Sequence, residues 1–126
     1  MAPIRMVLRS KIHRATVTQA DLDYVGSISI DEDLMEAAGI VEWEKIVVLD
    51  VTNGSRLETY AIKAPPGSGE ICINGAAAHL VEPGDLVILL TFQGIEEGQI
   101  ENHEPRIVHV DEQNKVIELS TTESNF

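Results

Sequence analysis

The chain has 126 residues, of which 44% are hydrophobic, and this size and composition are typical of one soluble globular domain. A formal net charge of −12 argues against nucleic acid as a partner, and no apolar run approaches the roughly 20 residues of a membrane span. The N-terminus lacks the apolar core of a signal peptide, and the single cysteine, Cys72, excludes an internal disulfide framework, so a cytoplasmic protein is expected.

Most of the chain is predicted to be β-structure, because short apolar and β-branched runs are separated by turn residues. The predicted strands are 6–8, 12–18, 24–30, 46–51, 56–63, 70–73, 86–92, 107–110 and 116–119, with a turn at 111–114 joining the last two. The run 46–51 is expected to be buried on both faces. Asn53-Gly54 predicts a two-residue hairpin turn after it. Many short strands of this kind indicate a closed or nearly closed β-barrel.

Two short helical pieces are predicted between the strands. Asp31 has the character of an N-cap and Gly39 that of a C-terminal stop, which predicts a helix of about two turns. Residues 75–78, Gly-Ala-Ala-Ala, predict a helical turn under a sheet, although such small side chains could also let backbone N–H groups approach a ligand. The remaining segments are expected to be a turn or short helical link at 19–23, a polar loop at 94–105 and a frayed tail at 120–126.

Gly26 is unusual within the strand predicted at 24–30. A glycine weakens a strand and often marks a bulge or a place where another group approaches the backbone closely. It stands directly before Ser27, whose hydroxyl could fold back onto the Gly26 carbonyl. The pattern alone favours a bulge at this position.

General site motifs do not identify a function. The histidines are widely spaced and have no metal-ligand spacing, so no metal site is expected. The many carboxylates are most simply solvent-facing charge. Four of the nine basic residues lie within the first fourteen positions, where they could hold a small anion or simply be solvated: Arg5, Arg9, Lys11 and Arg14.

Residues 10–18 (SKIHRATVT) and 24–27 (YVGS) resemble the start of the pyruvoyl-dependent aspartate 1-decarboxylase family. Further matching positions are Thr52-Asn53-Gly54, Arg56, Thr59-Tyr60 and the segment 74–78. The resemblance covers residues 6 to about 92, and it is specific because several separated motifs agree in spacing. The segment after Phe92 matches poorly and predicts nothing about function.

The resemblance implies that the chain cuts its own Gly26–Ser27 bond. The Ser27 hydroxyl would attack the Gly26 carbonyl, and Thr59 would stabilise the oxyanion. Elimination and hydrolysis would then leave a covalent pyruvoyl group in place of Ser27. The expected products are a β chain of residues 1–26 and an α chain of residues 27–126, together forming one decarboxylase domain.

The resemblance also implies a reaction and a set of site residues. The amine of L-aspartate would form a Schiff base with the pyruvoyl group, and Tyr60 would supply a proton after CO2 leaves, giving β-alanine for pantothenate biosynthesis. Lys11 and Arg56 would bind the two substrate carboxylates. The other residues expected to bind substrate are Thr59, Asn74, Gly75, Ala76 and Ala77, with His13 and Tyr24 bordering the site.

The fold that the resemblance implies is a small six-stranded double-psi β-barrel with short helices, assembled as a homotetramer with active sites between subunits. Maturation would be spontaneous or assisted by a helper protein. Two alternatives stay open at this point. The chain could decarboxylate another acidic amino acid, such as glutamate, or it could be a non-catalytic barrel used for binding, with Gly26–Ser27 as a bulge.

Overall fold

A computed structural model describes residues 2–23 and 27–123 of the chain. Its strands are β1 (Ile4–Thr16), β2 (Gln19–Asp21), β3 (Ser27–Asp31), β4 (Lys45–Asp50), β5 (Arg56–Ala64), β6 (Ile71–Asn74), β7 (Leu86–Glu96), β8 (Arg106–Val110) and β9 (Val116–Ser120). Helix α1 spans Glu32–Ala38, and the 3-10 helices η1 and η2 span Gly75–His79 and Glu97–Asn102. The prediction of a mainly β protein with short helices is confirmed.

Within the described ranges, hydrogen bonds join nine strands into one sheet in the order β2-β6-β3-β5-β4-β7-β1-β8-β9. Strand β3 runs parallel to β5 and antiparallel to β6, and β1 runs antiparallel to β7 and parallel to β8. The sheet thus has nine strands, whereas the barrel that the family resemblance implies has six. The additional strands are the short β2, which follows β1 after two residues, and the pair β8 and β9, which extends the sheet beyond β1.

Several segment boundaries differ from the prediction, and long-range pairing is the physical reason. Strand β1 runs through Ile4–Thr16 because β7 pairs with it at both ends, with register shifts between Leu8 and Ser10 and between Ile12 and Ala15. That pairing also carries β7 to Glu96, so the expected loop at 94–105 is instead the end of a strand followed by η2. Residues 19–21 form β2 rather than the predicted turn or short helical link, because they pair with β6.

The turn between β4 and β5 has five residues, 51–55, rather than two. Only Gly54 has a positive φ here, and Asn53 does not. The Oδ1 atom of Asp50 accepts hydrogen bonds from the backbone N of Thr52 at 2.8 Å and of Asn53 at 3.1 Å. This side chain organises a wider turn than the dipeptide alone predicts.

The core lies on one face of β3 and its neighbours. Ile28 and Ile30 of β3 are fully buried in a cluster that includes Ile46, Ala61 and Ile73. Burial of β4 extends across both faces, as predicted, since Ile46, Val47 and Val48 are all buried. Ser27 and Ser29 of β3 are buried too, but strand alternation directs them away from the Ile28 face. The interior therefore has a polar layer beside the apolar core.

The predicted helix cap at Asp31 is confirmed. Its Oδ1 atom accepts hydrogen bonds from the backbone N of Asp33 at 2.8 Å and of Gly67 at 3.0 Å, and its Oδ2 atom accepts one from Gly69 at 2.8 Å. Helix α1 ends at Gly39, where φ is +73°. The buried Asp31 carboxylate thus fixes the end of β3, the start of α1 and the loop before β6 relative to one another.

The C-terminal segment packs against the first strand through a turn that the sequence predicted. Asn114, at φ +61°, accepts a hydrogen bond from the backbone N of Thr16 at 2.8 Å and donates to the carbonyls of Thr16 and Gly69, each at 2.8 Å. Asparagine tolerates this left-handed conformation better than most residues. No helix among the described residues is long and apolar enough to cross a membrane.

A pair of buried acids joins the turn after β4 to the turn before β7. Asp50 is 2% exposed and Asp85 is 8% exposed. The Oδ2 atom of Asp50 receives no hydrogen bond from a donor among the described residues, and its neighbour is the Asp85 carboxyl. Burial first, and then this neighbour, raises the pKa of Asp50, whereas the hydrogen bond from Asp50 lowers the pKa of Asp85. Of the two carboxyls, Asp50 is therefore the one that binds a proton at the higher pH.

The Asp50→Asn variant should be more stable than the original chain at about pH 8, by on the order of 1 kcal/mol. The folded state binds the Asp50 proton more tightly than the unfolded state does. The contribution of Asp50 to the free energy of unfolding is therefore present at acid pH and is lost as pH rises through its raised pKa. Asp85, with its lowered pKa, loses its own contribution only at more acid pH. An asparagine amide donates to Asp85 at every pH.

Thermal melts followed by circular dichroism from about pH 5 to pH 8 measure this difference, which should shrink toward acid pH. Glu112→Gln, a change at an exposed turn residue, is the control. An Asp50→Asn variant that melts below the original chain at about pH 8 would contradict the raised pKa of Asp50.

Candidate active site

Strand pairing at the start of β3 brings together three of the predicted site residues, Ser27, Tyr60 and Asn74. Ser27 pairs with Asn74 of β6. Ile28 pairs with Ala61 of the parallel strand β5, so the preceding residues of the two strands, Ser27 and Tyr60, also lie side by side. Ile28 and Ala61 point into the apolar core. Because side chains alternate along a strand, Ser27, Asn74 and Tyr60 share the opposite face.

The amide of Asn74 is the centre of this cluster. It is 3% exposed, and its Nδ2 atom donates to Ser27 Oγ at 2.9 Å and to Ser29 Oγ at 3.0 Å. Its Oδ1 atom accepts a hydrogen bond from Cys72 Sγ at 3.1 Å. In this orientation the amide nitrogen donates to both serines and the amide oxygen accepts from the thiol. Asn74 therefore presents N–H groups to the 1%-exposed Ser27.

Cys72 supports the amide as a neutral thiol. Burial first, and then the charges of Glu70 and Asp21, raises the pKa of Cys72 to about 11. At neutral pH the sulfur keeps its proton, so it can donate to Asn74 Oδ1.

The segment after Asn74 has small side chains and an unusual backbone. Gly75 is buried and has a φ of +71°, a left-handed conformation that glycine adopts without a steric penalty. It begins η1, which confirms the predicted helical turn, and Ala76 and Ala77 follow as an exposed and a half-buried residue. None of these three positions after Asn74 carries a side chain larger than a methyl group.

Strand β5 contributes two predicted residues on opposite faces. Tyr60 is half-buried on the Ser27 face, where its ring stacks against the indole of Trp43 with the centroids 5.9 Å apart. Thr59 is also half-buried, but alternation places it on the Leu57 and Ala61 face. Tyr60 and Thr59 therefore lie on opposite faces of β5, next to the start of β3.

The predicted cations lie on other parts of the sheet. Lys11 is on β1, which β5, β4 and β7 separate from β3 in the strand order, and its Nζ atom lies 3.4 Å from Glu123 Oε2. Arg56 begins β5, roughly 13 Å along the strand from Tyr60. It lines a surface cavity of about 270 Å³ together with Met6 and Phe92.

Of the two residues expected to border the site, His13 is described by the structure and Tyr24 is not. His13 is half-buried on β1, and its ring centroid is 6.0 Å from that of His109. Burial first, followed by the charges of Lys11 and His109, lowers the pKa of His13, so it is mostly neutral at pH 7. Tyr24 lies outside the described residues, and so does Gly26 on one side of the predicted cleavage bond.

Sequence reasoning missed three residues of this cluster: Ser29, Cys72 and Trp43. Ser29 and Cys72 could have been found, because each lies two positions from a predicted site residue and so shares its strand face. Trp43 lies in the loop before β4 and gives no such periodic signal. Among the described residues, no group of three or more His, Cys, Asp or Glu side chains is arranged to hold a metal ion.

Comparison with known proteins identifies the family. Residues 3–117 match the family model described as aspartate decarboxylase. The chain belongs to the aspartate decarboxylase family. Its family resemblance, first inferred from separated motifs, is thereby confirmed over most of the sequence.

Curated relatives agree with this assignment. An aspartate 1-decarboxylase of Myxococcus xanthus is 60% identical over 119 residues, which cover 94% of this chain and 92% of the relative. A protein of the same name from Corynebacterium efficiens is 58% identical over 92% of this chain and 85% of its own length. Another, from Acetivibrio thermocellus, is 56% identical over 94% of this chain and 94% of its own length.

Cys72 should be nearly inert toward a thiol reagent at about pH 8 in the folded protein. A pKa of about 11 in place of 9.0 leaves about 100-fold less thiolate, and burial slows access further. The measurement is the rate of reaction with an aromatic disulfide, with the chain unfolded in guanidinium chloride as the control. Equal rates in the two states would show that the thiol is not held against Asn74.

Proposed function

We propose that this chain is a pyruvoyl-dependent aspartate 1-decarboxylase, which converts L-aspartate to β-alanine and CO2 for pantothenate biosynthesis. Membership of the aspartate decarboxylase family supports the reaction. The observation that carries the site assignment is the hydrogen bond from Asn74 Nδ2 to Ser27 Oγ, 2.9 Å long, at the start of β3. This hydrogen bond supports the assignment, because the Asn74 amide donates to Ser27, the one side chain that the proposed chemistry transforms.

Maturation would begin with attack of the Ser27 hydroxyl on the Gly26 carbonyl. Asn74 orients the hydroxyl oxygen, and Thr59 would donate a hydrogen bond to the oxyanion. Cleavage would give a β chain of residues 1–26 and an α chain of residues 27–126, which remain one domain. Self-cleavage would be spontaneous or would depend on a helper protein.

The surroundings of Ser27 fit a pyruvoyl group at that position. The group is small and accepts hydrogen bonds, and the Asn74 amide nitrogen already donates to the Ser27 oxygen. Asn74 would hold it, with Cys72 keeping the amide in orientation. When present, such a group supplies an electrophilic carbonyl that accepts the electron pair released with CO2.

The remaining roles are those that the family resemblance implies. Tyr60 shares the face of Ser27 and its phenol would donate a proton to the carbon that loses CO2. Gly75, Ala76 and Ala77 would line the substrate with backbone rather than side chains. Lys11 and Arg56 would neutralise the two substrate carboxylates, which a chain with a net charge of −12 would otherwise repel.

We propose a homotetramer in which a second copy completes each site. Lys11 and Arg56 lie on strand positions separate from the Ser27 cluster, and Arg56 opens onto a surface cavity. Large apolar side chains around that cavity are exposed, including Met6 at 69% and Phe92 at 42%. Contact with another copy would bury this surface and bring cations to the cluster.

The topology supports closure of the sheet into the six-stranded double-psi barrel. Strand β2 follows β1 after only Val17 and Thr18, yet it pairs with β6 at the other end of the strand order. Thr18 N also donates to the carbonyl of Ile71 at 2.8 Å. The β1–β2 segment would therefore close a barrel with β6, β3, β5, β4 and β7.

Mass spectrometry of the purified, warmed protein tests the proposed maturation. Two fragments split after Gly26, with residue 27 lacking a free amine, are expected, and the Ser27→Ala control should stay intact. A single intact chain, even with lysate of its source supplied as a possible helper, would instead favour a non-catalytic binding module.

Turnover assays test the proposed substrate and the role of Lys11. We expect release of CO2 from L-aspartate and, because one extra methylene is discriminated by roughly 10- to 200-fold, much slower release from L-glutamate. Lys11→Ala should lower kcat/KM for aspartate by about 10- to 100-fold, since a charge-assisted hydrogen bond is lost, while self-cleavage stays complete.

The matched control is Lys63→Ala, which removes an exposed lysine paired with Glu32 at 3.3 Å on the far end of β5. It should leave kcat/KM nearly unchanged. An uncleaved Lys11→Ala chain would contradict the assignment of Lys11 to substrate binding alone.

A further inference from the structure

Trp43 covers one face of the Tyr60 ring. The two rings are stacked, with an interplanar angle of 27° and centroids 5.9 Å apart. The indole is nevertheless 71% exposed, so burial in the apolar core does not account for its position. Stacking of this kind restricts the tilt of both rings.

The backbone holds Trp43 in a conformation that is rare for a bulky residue. Its φ is +75°, in the left-handed region that tryptophan seldom adopts. The backbone N of Trp43 donates to the carbonyl of Ala61 at 2.8 Å, and the backbone N of Ala61 donates to the carbonyl of Glu44 at 2.9 Å. Both hydrogen bonds join the loop to the residue directly after Tyr60, so the strained backbone aims the indole at that phenol.

The loop does not depend on the indole for its anchorage. The Glu44 carboxylate binds Arg9 Nη1 at 2.6 Å through one oxygen and accepts a hydrogen bond from the backbone N of Val41 at 3.1 Å through the other. These contacts and the two hydrogen bonds to Ala61 remain if the Trp43 side chain is removed. Holding the loop in place therefore does not explain why the indole stacks on Tyr60.

We propose that Trp43 is a positioning residue that fixes the Tyr60 phenol beside residue 27 for proton donation. The inference rests on the proposed function, in which Tyr60 donates the proton. The indole closes one side of the ring, so the hydroxyl keeps the direction that the strand register gives it. Removing the indole loosens the donor without touching the groups assigned to substrate binding, and proton transfer then slows more than substrate binding weakens.

The variant Trp43→Asn tests this role, because asparagine tolerates the left-handed backbone and has no ring. We expect the melting temperature to stay equal or rise, while kcat for β-alanine formation, normalised to the cleaved fraction, falls about three- to tenfold and KM stays within twofold. Trp43→Phe, which keeps a stacking ring, should restore most of kcat. Val41→Ala, an exposed apolar change in the same loop, is the matched control and should leave both constants unchanged.

The results separate this inference from the proposed function. If the original chain cleaves completely but makes no β-alanine, the proposed function fails. If the original chain is active and Trp43→Asn keeps full kcat, or Trp43→Phe is as slow as Trp43→Asn, the positioning role is overturned. An active Tyr60→Phe variant with unchanged kcat also overturns it, while leaving decarboxylation intact. A rise in KM with kcat unchanged would assign Trp43 to substrate binding instead.

Discussion

The buried amide of Asn74 is the constraint on which the site depends. It connects β6 to β3 by donating to Ser27 and Ser29, and it is held in turn by the thiol of Cys72. A buried polar group left without its partners costs about 1–3 kcal/mol, so the arrangement strongly favours a single register. A slip of one residue would turn the serines toward the apolar core and Ile28 toward the amide. The position of Ser27 is therefore set by strand pairing and by hydrogen bonding at once.

Buried carboxylates organise the segments around this site. The Asp31 side chain accepts three backbone N–H groups and so anchors the far end of β3. Asp50 and Asp85 join the turn after β4 to the turn before β7, and Asn53 adds a hydrogen bond from its Nδ2 atom to the carbonyl of Leu80 at 2.9 Å. The acidic composition is thus not only solvent-facing charge, as the sequence pattern suggested. Part of it replaces backbone hydrogen bonds where the chain leaves regular structure.

Local sequence signals predicted which helices, strands and turns form more accurately than they predicted how long the strands are. Asp31 and Gly39 delimit α1 because capping needs only neighbouring residues, and the turn at 111–114 follows from the ability of Asn114 to adopt a positive φ. The extents of β1 and β7 were wrong because pairing between two distant strands, rather than local propensity, carries both to their ends. The same argument explains the wide turn at 51–55, which depends on the Asp50 side chain and on contacts with β7.

The sequence by itself determined the family, because separated motifs with consistent spacing identify relatives without any coordinates, and it determined the locally encoded caps and turns. Only the tertiary structure placed Ser27 against Asn74, 47 positions away, and Trp43 against Tyr60. These contacts are decided by which strands pair and in which register, and that choice depends on burying the Ile28 face as a whole. A periodic pattern gives the face of each residue, but the partner across the sheet is a property of the folded chain.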